Sequence, residues 1–234
     1  MIWRSLQNSA LSLLTLGLGA CATTESYKPI QLPAFAGAYF GECSGKDGSV
    51  SIEVFSNGRV EQNFDVDWTS DLNGDWGIAS YSPLGQTLFQ LDFVHKPPSF
   101  KQTGKAFADL ENLSVGNQNL INLEGHEVGL RADEVTCLLN HKIPQRWLRR
   151  IVEDVSDNKE IKYIISDSGR TINLALNKHG NRSEEYWKAD IDWSLYWGFK
   201  KMQLSVKLLR DEQALVIHSD QYDKVDVRIL AQEE

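Results

Sequence analysis

Three cysteines, five histidines and two pairs of aspartates are the side chains of this 234-residue chain whose types could do chemistry. The histidines, His95, His126, His141, His179 and His218, are scattered. None stands four residues from another and no HExxH pattern occurs, so metal ligation has no sequence support. There is no CxxC, no glycine-rich phosphate loop and no GxSxG elbow. Asp65 with Asp67, and Asp190 with Asp192, each share one strand face. Paired carboxylates of this kind can run acid–base or glycosidic chemistry. Period-2 alternation against an apolar face already explains both pairs as solvated surface. The expectation is a protein that is not an enzyme and needs no cofactor or metal.

The thiols are more informative. Cys21 follows Leu18-Gly19-Ala20 at the end of the apolar run Leu11 to Leu18, and the only charged side chain ahead of it is Arg4. A charged start, a short apolar stretch and small residues before a cleavage point make a secretory signal. An aliphatic residue, two small residues and a cysteine resemble the bacterial lipobox. That resemblance implies that residues 1–20 are removed and that Cys21 becomes the lipidated first residue. Anchoring is then by acyl chains, and stable attachment needs more than one. Ala22 stands where an acidic residue resembles an inner-membrane retention signal, which implies the outer membrane, with the domain facing the periplasm. Cys43 and Cys137 remain. An oxidising periplasm favours a bridge between them, from the first strand of a β block to its last. Two separate buried thiols are the alternative.

About 214 residues are left after cleavage, enough for one large domain. An apolar content of 41% can fill its core. The net charge of −8 argues against nucleic acid as a partner, because phosphate binding needs clustered Lys and Arg. Residues 21–35, with Pro29 and Pro33, read as an extended tether. Residues 36–234 then read as a single β domain. Val50, Ile52 and Val54 alternate with polar residues up to the Asn57-Gly58 turn. Val60, Phe64, Val66 and Trp68 share one face of the return strand. Strands follow at Trp76 to Ser82 and Gln86 to Val94, the second apolar on both faces and so read as central. Pro97-Pro98 ends it. Residues 104–124 hold shorter candidates, and Glu127 to Leu139 one or two strands. From Pro144 the apolar residues Trp147, Leu148, Ile151, Val152 and Val155 step by three and four, which predicts an amphipathic helix over 144–155. Arg146, Arg149 and Arg150 fill its other face. Alternation then returns through Ile161–Ile165, Ile172–Leu176, Trp187–Trp197, Met202–Leu208, Leu215–Ile217 and Val225–Ile229. The sum is mainly β: roughly ten antiparallel strands, curved into an unclosed barrel, with one short helix. Trp68, Trp147, Trp187, Trp193 and Trp197 fall in apolar phases and read as core or cavity lining.

Ala36-Gly37-Ala38-Tyr39-Phe40, Ser82-Pro83-Leu84-Gly85-Gln86-Thr87, and Ile143-Pro144 with Trp147-Leu148-Arg149 together resemble the LolB family of outer-membrane lipoprotein receptors and the related LolA carriers. The likeness covers most of residues 36–155. It implies an unclosed antiparallel barrel with a helical lid over an apolar cavity that takes up acyl chains of lipoproteins, and a periplasmic carrier as a partner. On that reading Trp147, Ile151 and Val155 cover the mouth of the barrel. Leu84, at the tip of a Pro-Leu-Gly turn, either folds back onto the sheet or protrudes to touch acyl chains or the bilayer. The competing expectation is a tethered β scaffold with a filled core that supports an envelope complex.

Overall fold

The computed structural model of the protein describes residues 30, 32–56, 58–82, 84–104, 113–123, 125–157, 160–177, 185–195, 200–210, 214–219 and 225–231. The first strands are β1 (Phe40–Gly41), β2 (Asp47–Ser56), β3 (Arg59–Ser70), β4 (Trp76–Tyr81), β5 (Thr87–His95) and β6 (Pro98–Gly104). A middle stretch holds β7 (Leu113–Val115), β8 (Leu120–Leu123), β9 (His126–Arg131), the helix α1 (Val135–Leu139) and β10 (Ile143–Pro144). The remainder is β11 (Ile151–Asp154), β12 (Ile161–Asp167), β13 (Arg170–Leu176), β14 (Glu185–Leu195), β15 (Lys200–Leu209), β16 (Ala214–Ser219) and β17 (Val225–Ala231).

Twelve of these strands build one antiparallel sheet in the order β11-β12-β13-β14-β15-β16-β17-β2-β3-β4-β5-β6. The last strand pairs with β2, so the first and last of the twelve in chain order meet in mid-sheet. The end strands β6 and β11 do not pair with each other, and the barrel is unclosed. Ten of the twelve follow the apolar alternation of the sequence. β6 and β11 are additions. Pro97-Pro98 ends β5, but it does so as a hairpin, with His95 opposite Pro98. A proline is tolerated as the first residue of an edge strand, where its missing N–H costs no ladder bond. β5 itself lies one strand from the edge rather than at the centre, and Leu88 on its second apolar phase is 46% exposed.

The predicted helix over 144–155 is not an α-helix. Gln145–Arg150 forms a 3-10 turn, and the chain then straightens into β11, where Ile151 pairs with Ile165. The β-branched residues Ile151 and Val152 suit a strand, and a step of three or four among five apolar residues does not distinguish the two. The α-helix that does form, α1, lies where strands were expected. Thr136, Cys137, Leu138 and Leu139 are all buried, so no polar face betrays it.

The stretch from β7 to β10 lies against the inner face of the large sheet. Leu113, Val115 and Ile121 pack on the cluster of Trp76, Phe89, Leu91 and Phe93. The Trp76 indole donates to the Ala132 carbonyl at 2.7 Å. Gly129, at φ +77°, lies so close to the Trp193 ring that a Cβ there would sit 2.4 Å from it. Only glycine permits both that backbone conformation and that approach.

Candidate functional site

Cys21 lies outside the described residues. Cys43 and Cys137 are joined by a disulfide across 94 residues of chain. Cys43 stands in the loop after β1 and Cys137 in α1, so the bridge ties a loop to a helix, not a first strand to a last one. Around it the segment entering the domain is held by several bonds. Thr136 Oγ1 donates to the Cys43 carbonyl, and Lys142 Nζ donates to the Ala38 carbonyl at 2.9 Å. β1 and β10 pair in parallel, Phe40 beside Ile143.

The densest chemistry in the molecule is a set of buried ion pairs that sequence reasoning missed. Glu134 and Arg170 are both fully buried and meet at 2.8 Å. Arg170 also binds Asp167 at 2.7 Å and donates to the Gly129 carbonyl. Arg146 bridges Asp167 and Asp133, and Arg131 closes on Asp133. Trp147 Nε1 donates to Glu134 Oε1 at 2.8 Å. Three arginines thus face three carboxylates. Burial pushes the Asp133 carboxyl up, but hydrogen bonding and charge from Arg131, with the charge of Arg146, hold it below its ordinary range. Asp167 is lowered in the same way: burial opposes, while Arg146 and Arg170 prevail. Burial would lower Arg170, yet Glu134 and Asp167 raise it. A signal for this network existed. Arg170 shares the inward phase of Ile172, Leu174 and Leu176, and Asp167 that of Tyr163 and Ile165. A charged residue in a buried phase demands a partner.

The aspartate pairs singled out from sequence lie on the outer face. Asp65 and Asp67 accept from Ser51 and Ser49. Asp190 pairs with Lys188 at 2.9 Å, and Asp192 accepts from Gln203 at 2.9 Å. Trp68, Trp76, Trp147, Trp187 and Trp193 are buried, and Trp197 lies outside the described residues.

The residues assigned to lipid contact separate. Trp147 and Ile151 are buried, Trp147 completely, beneath the ion-pair network, so neither reaches a mouth. Val155, past the end of β11, is 40% exposed. Leu84 is 88% exposed, more than any other large apolar residue described. Its turn is closed by Gly85 N–H to the Ser82 carbonyl at 2.8 Å, with Gly85 at φ +77°.

Two clefts of about 390 Å³ each flank the middle of the β4–β5 hairpin. One opens beside the 3-10 turn, between Gln145, Arg146, Arg149, Leu72, Trp76 and the Cys43 loop. The other lies toward the Leu84 end, bounded by Glu61, Gln62, Asn63, Phe64, Ser80, Leu88 and Phe89. It forms where the β3–β4 ladder stops, at Asp67 opposite Ala79, although both strands continue. Val60, separated from Gln62 by a bulge that sets it opposite Phe55, is 51% exposed beside it. Among the described residues Phe64, Leu88 and Phe89 give its wall apolar contact, Gln62, Asn63 and Ser80 polar contact, and Glu61 its one charge. Among the described residues no group of three or more His, Cys, Asp or Glu could hold a metal ion. No protein-family model and no curated protein matches the chain.

Proposed function

We propose that the protein is an outer-membrane-anchored lipoprotein that binds acyl chains at the open end of its curved sheet, and that it accepts lipoproteins or lipids there for insertion into the outer membrane. The anchor on Cys21 supplies the membrane attachment, and a periplasmic carrier delivers the cargo. One observation carries the reading. Around the cleft at the β3–β5 end Val60 and Leu88 stand half exposed and Phe64 is only partly buried, and the Leu84 turn at the end of the same hairpin presents a bare leucine. Exposed apolar groups gathered at one place mark contact sites, whereas scattered ones do not. A cleft of this volume falls in the lower part of the roughly 300–1,000 Å³ span of small-ligand sites. Native mass spectrometry of the Cys21→Ala chain, purified from cells, tests it: co-purified acyl lipid that is lost on delipidation and regained on adding lysophospholipid supports the reading. A chain that never carries or regains lipid argues for the second reading.

That second reading, a non-catalytic scaffold for an envelope complex, is favoured by the other side of the interior. Trp147, Trp187 and Arg170 fill it.

A further inference from the structure

The inner face of β4 reads Trp76, Ile78, Ser80, and that of β5 reads Phe93, Leu91, Phe89. Register places Trp76 beside Phe93, Ile78 beside Leu91 and Ser80 beside Phe89. Ser80 is therefore the single small and polar member of an otherwise bulky stripe. It is 4% exposed and it lines the cleft. It stands one residue past Ala79, where the β3–β4 ladder ends, which is where the cleft opens. A leucine or isoleucine here would continue the stripe and fill the space that Ser80 leaves.

The geometry points to Ser80 as the specificity-determining residue of this cleft: its small side chain sets how deep a linear acyl chain enters, and so how long a chain is accepted. The inference rests on the acyl-binding reading above. The occupant is an uncharged alkyl tail, because no cation among the described residues lines the cleft and Glu61 would repel a free carboxylate. The head of the ligand stays outside.

The test uses the full chain carrying Cys21→Ala, so that no anchor of its own competes. Displacement of a fluorescently labelled lysophosphatidylcholine is measured with unlabelled lysophosphatidylcholines from octanoyl to palmitoyl. The parent chain gains affinity with length until the cleft is full. Ser80→Leu excludes methylenes from the deep end, each worth about fourfold in affinity, so palmitoyl weakens by more than about tenfold while octanoyl is unchanged. Ser80→Val shifts the profile in the same direction by less, and serves if the leucine variant does not fold. Ser80→Ala, which keeps the space, retains the parent profile. An unchanged length profile in Ser80→Leu and Ser80→Val overturns this inference alone. Absence of binding by the parent chain overturns the acyl reading and this inference with it.

Discussion

The two flanks of the large sheet follow the same alternation and meet different fates. On β12 to β15 every described residue of the inward phase from Tyr163 through Leu208 is buried, including the charged Asp167 and Arg170. On β3 to β5 burial of the inward phase is as complete at Val66, Trp68, Trp76, Phe89 and Phe93, but along β3 it fades to Phe64, which is only partly buried, and Val60 beyond a bulge is half exposed. The strands do not differ in pattern. They differ in what lies on them. The stretch from β9 to the 3-10 turn carries Glu134, Trp147 and Gly129 onto the first flank, whereas on the second the described cover, from Leu113, Val115 and Ile121, reaches the Trp76–Phe93 cluster. An apolar phase states which side faces inward, and a second layer decides whether that side is dry.

Removing the Cys43–Cys137 bridge has the largest expected effect on the covered flank. Opening a loop of this length costs up to about 4–5 kcal/mol in the chain-entropy model. A Cys43→Ser, Cys137→Ser double variant should show it as a lower urea midpoint. A midpoint equal to the parent's would show that β1–β10 pairing alone holds the layer down. Next comes Glu134→Ala, which takes from buried Arg170 the more deeply buried of its two carboxylate partners and from Trp147 its acceptor. Breaking a buried pair from one side costs about 3–5 kcal/mol. A loss under about 1 kcal/mol would mean that the arginine reaches water and that the flank is looser than described.

Acid should loosen the same flank. Asp133 and Asp167 hold lowered pKa values, so their contribution is complete above about pH 4, the ordinary carboxylate range, and is lost as the pH falls through the lowered values. Asp167→Asn should flatten the dependence of stability on pH in that acid range. An unaltered slope would assign acid sensitivity elsewhere. The smallest effect on stability belongs to the open flank. Leu84→Glu should change stability by less than about 0.5 kcal/mol, as for exposed sites in general, while impairing acyl binding or membrane contact. A large fall in stability would show that Leu84 packs against something.

Much of this contrast was legible in the chain, and the gaps have physical causes. Strand positions and inward phases follow from alternation alone, which is why ten of twelve sheet strands are foreseen. β11 is missed because Trp147, Ile151 and Val155 also satisfy a helical step, and short apolar runs fit both periods. α1 is missed because a helix buried on all sides has no moment to read. The ion-pair network needed Arg170 to be taken as an inward residue rather than as the end of a turn. The half-exposed Val60 was out of reach, since the bulge that separates it from Gln62 leaves no mark in the alternation.

The central claim is that acyl chains enter the molecule at the β3–β5 end and not beneath the 3-10 turn. A lysophosphatidylcholine with a photoreactive diazirine at the chain terminus, added to the full Cys21→Ala chain and mapped by peptide sequencing after irradiation, tests this most directly. Labels on Phe64, Ser80, Leu88 or Phe89, competed away by unlabelled lipid, are the predicted result. Labels confined to Leu72, Trp76 or Gln145–Arg149, or no label that unlabelled lipid removes, would contradict it.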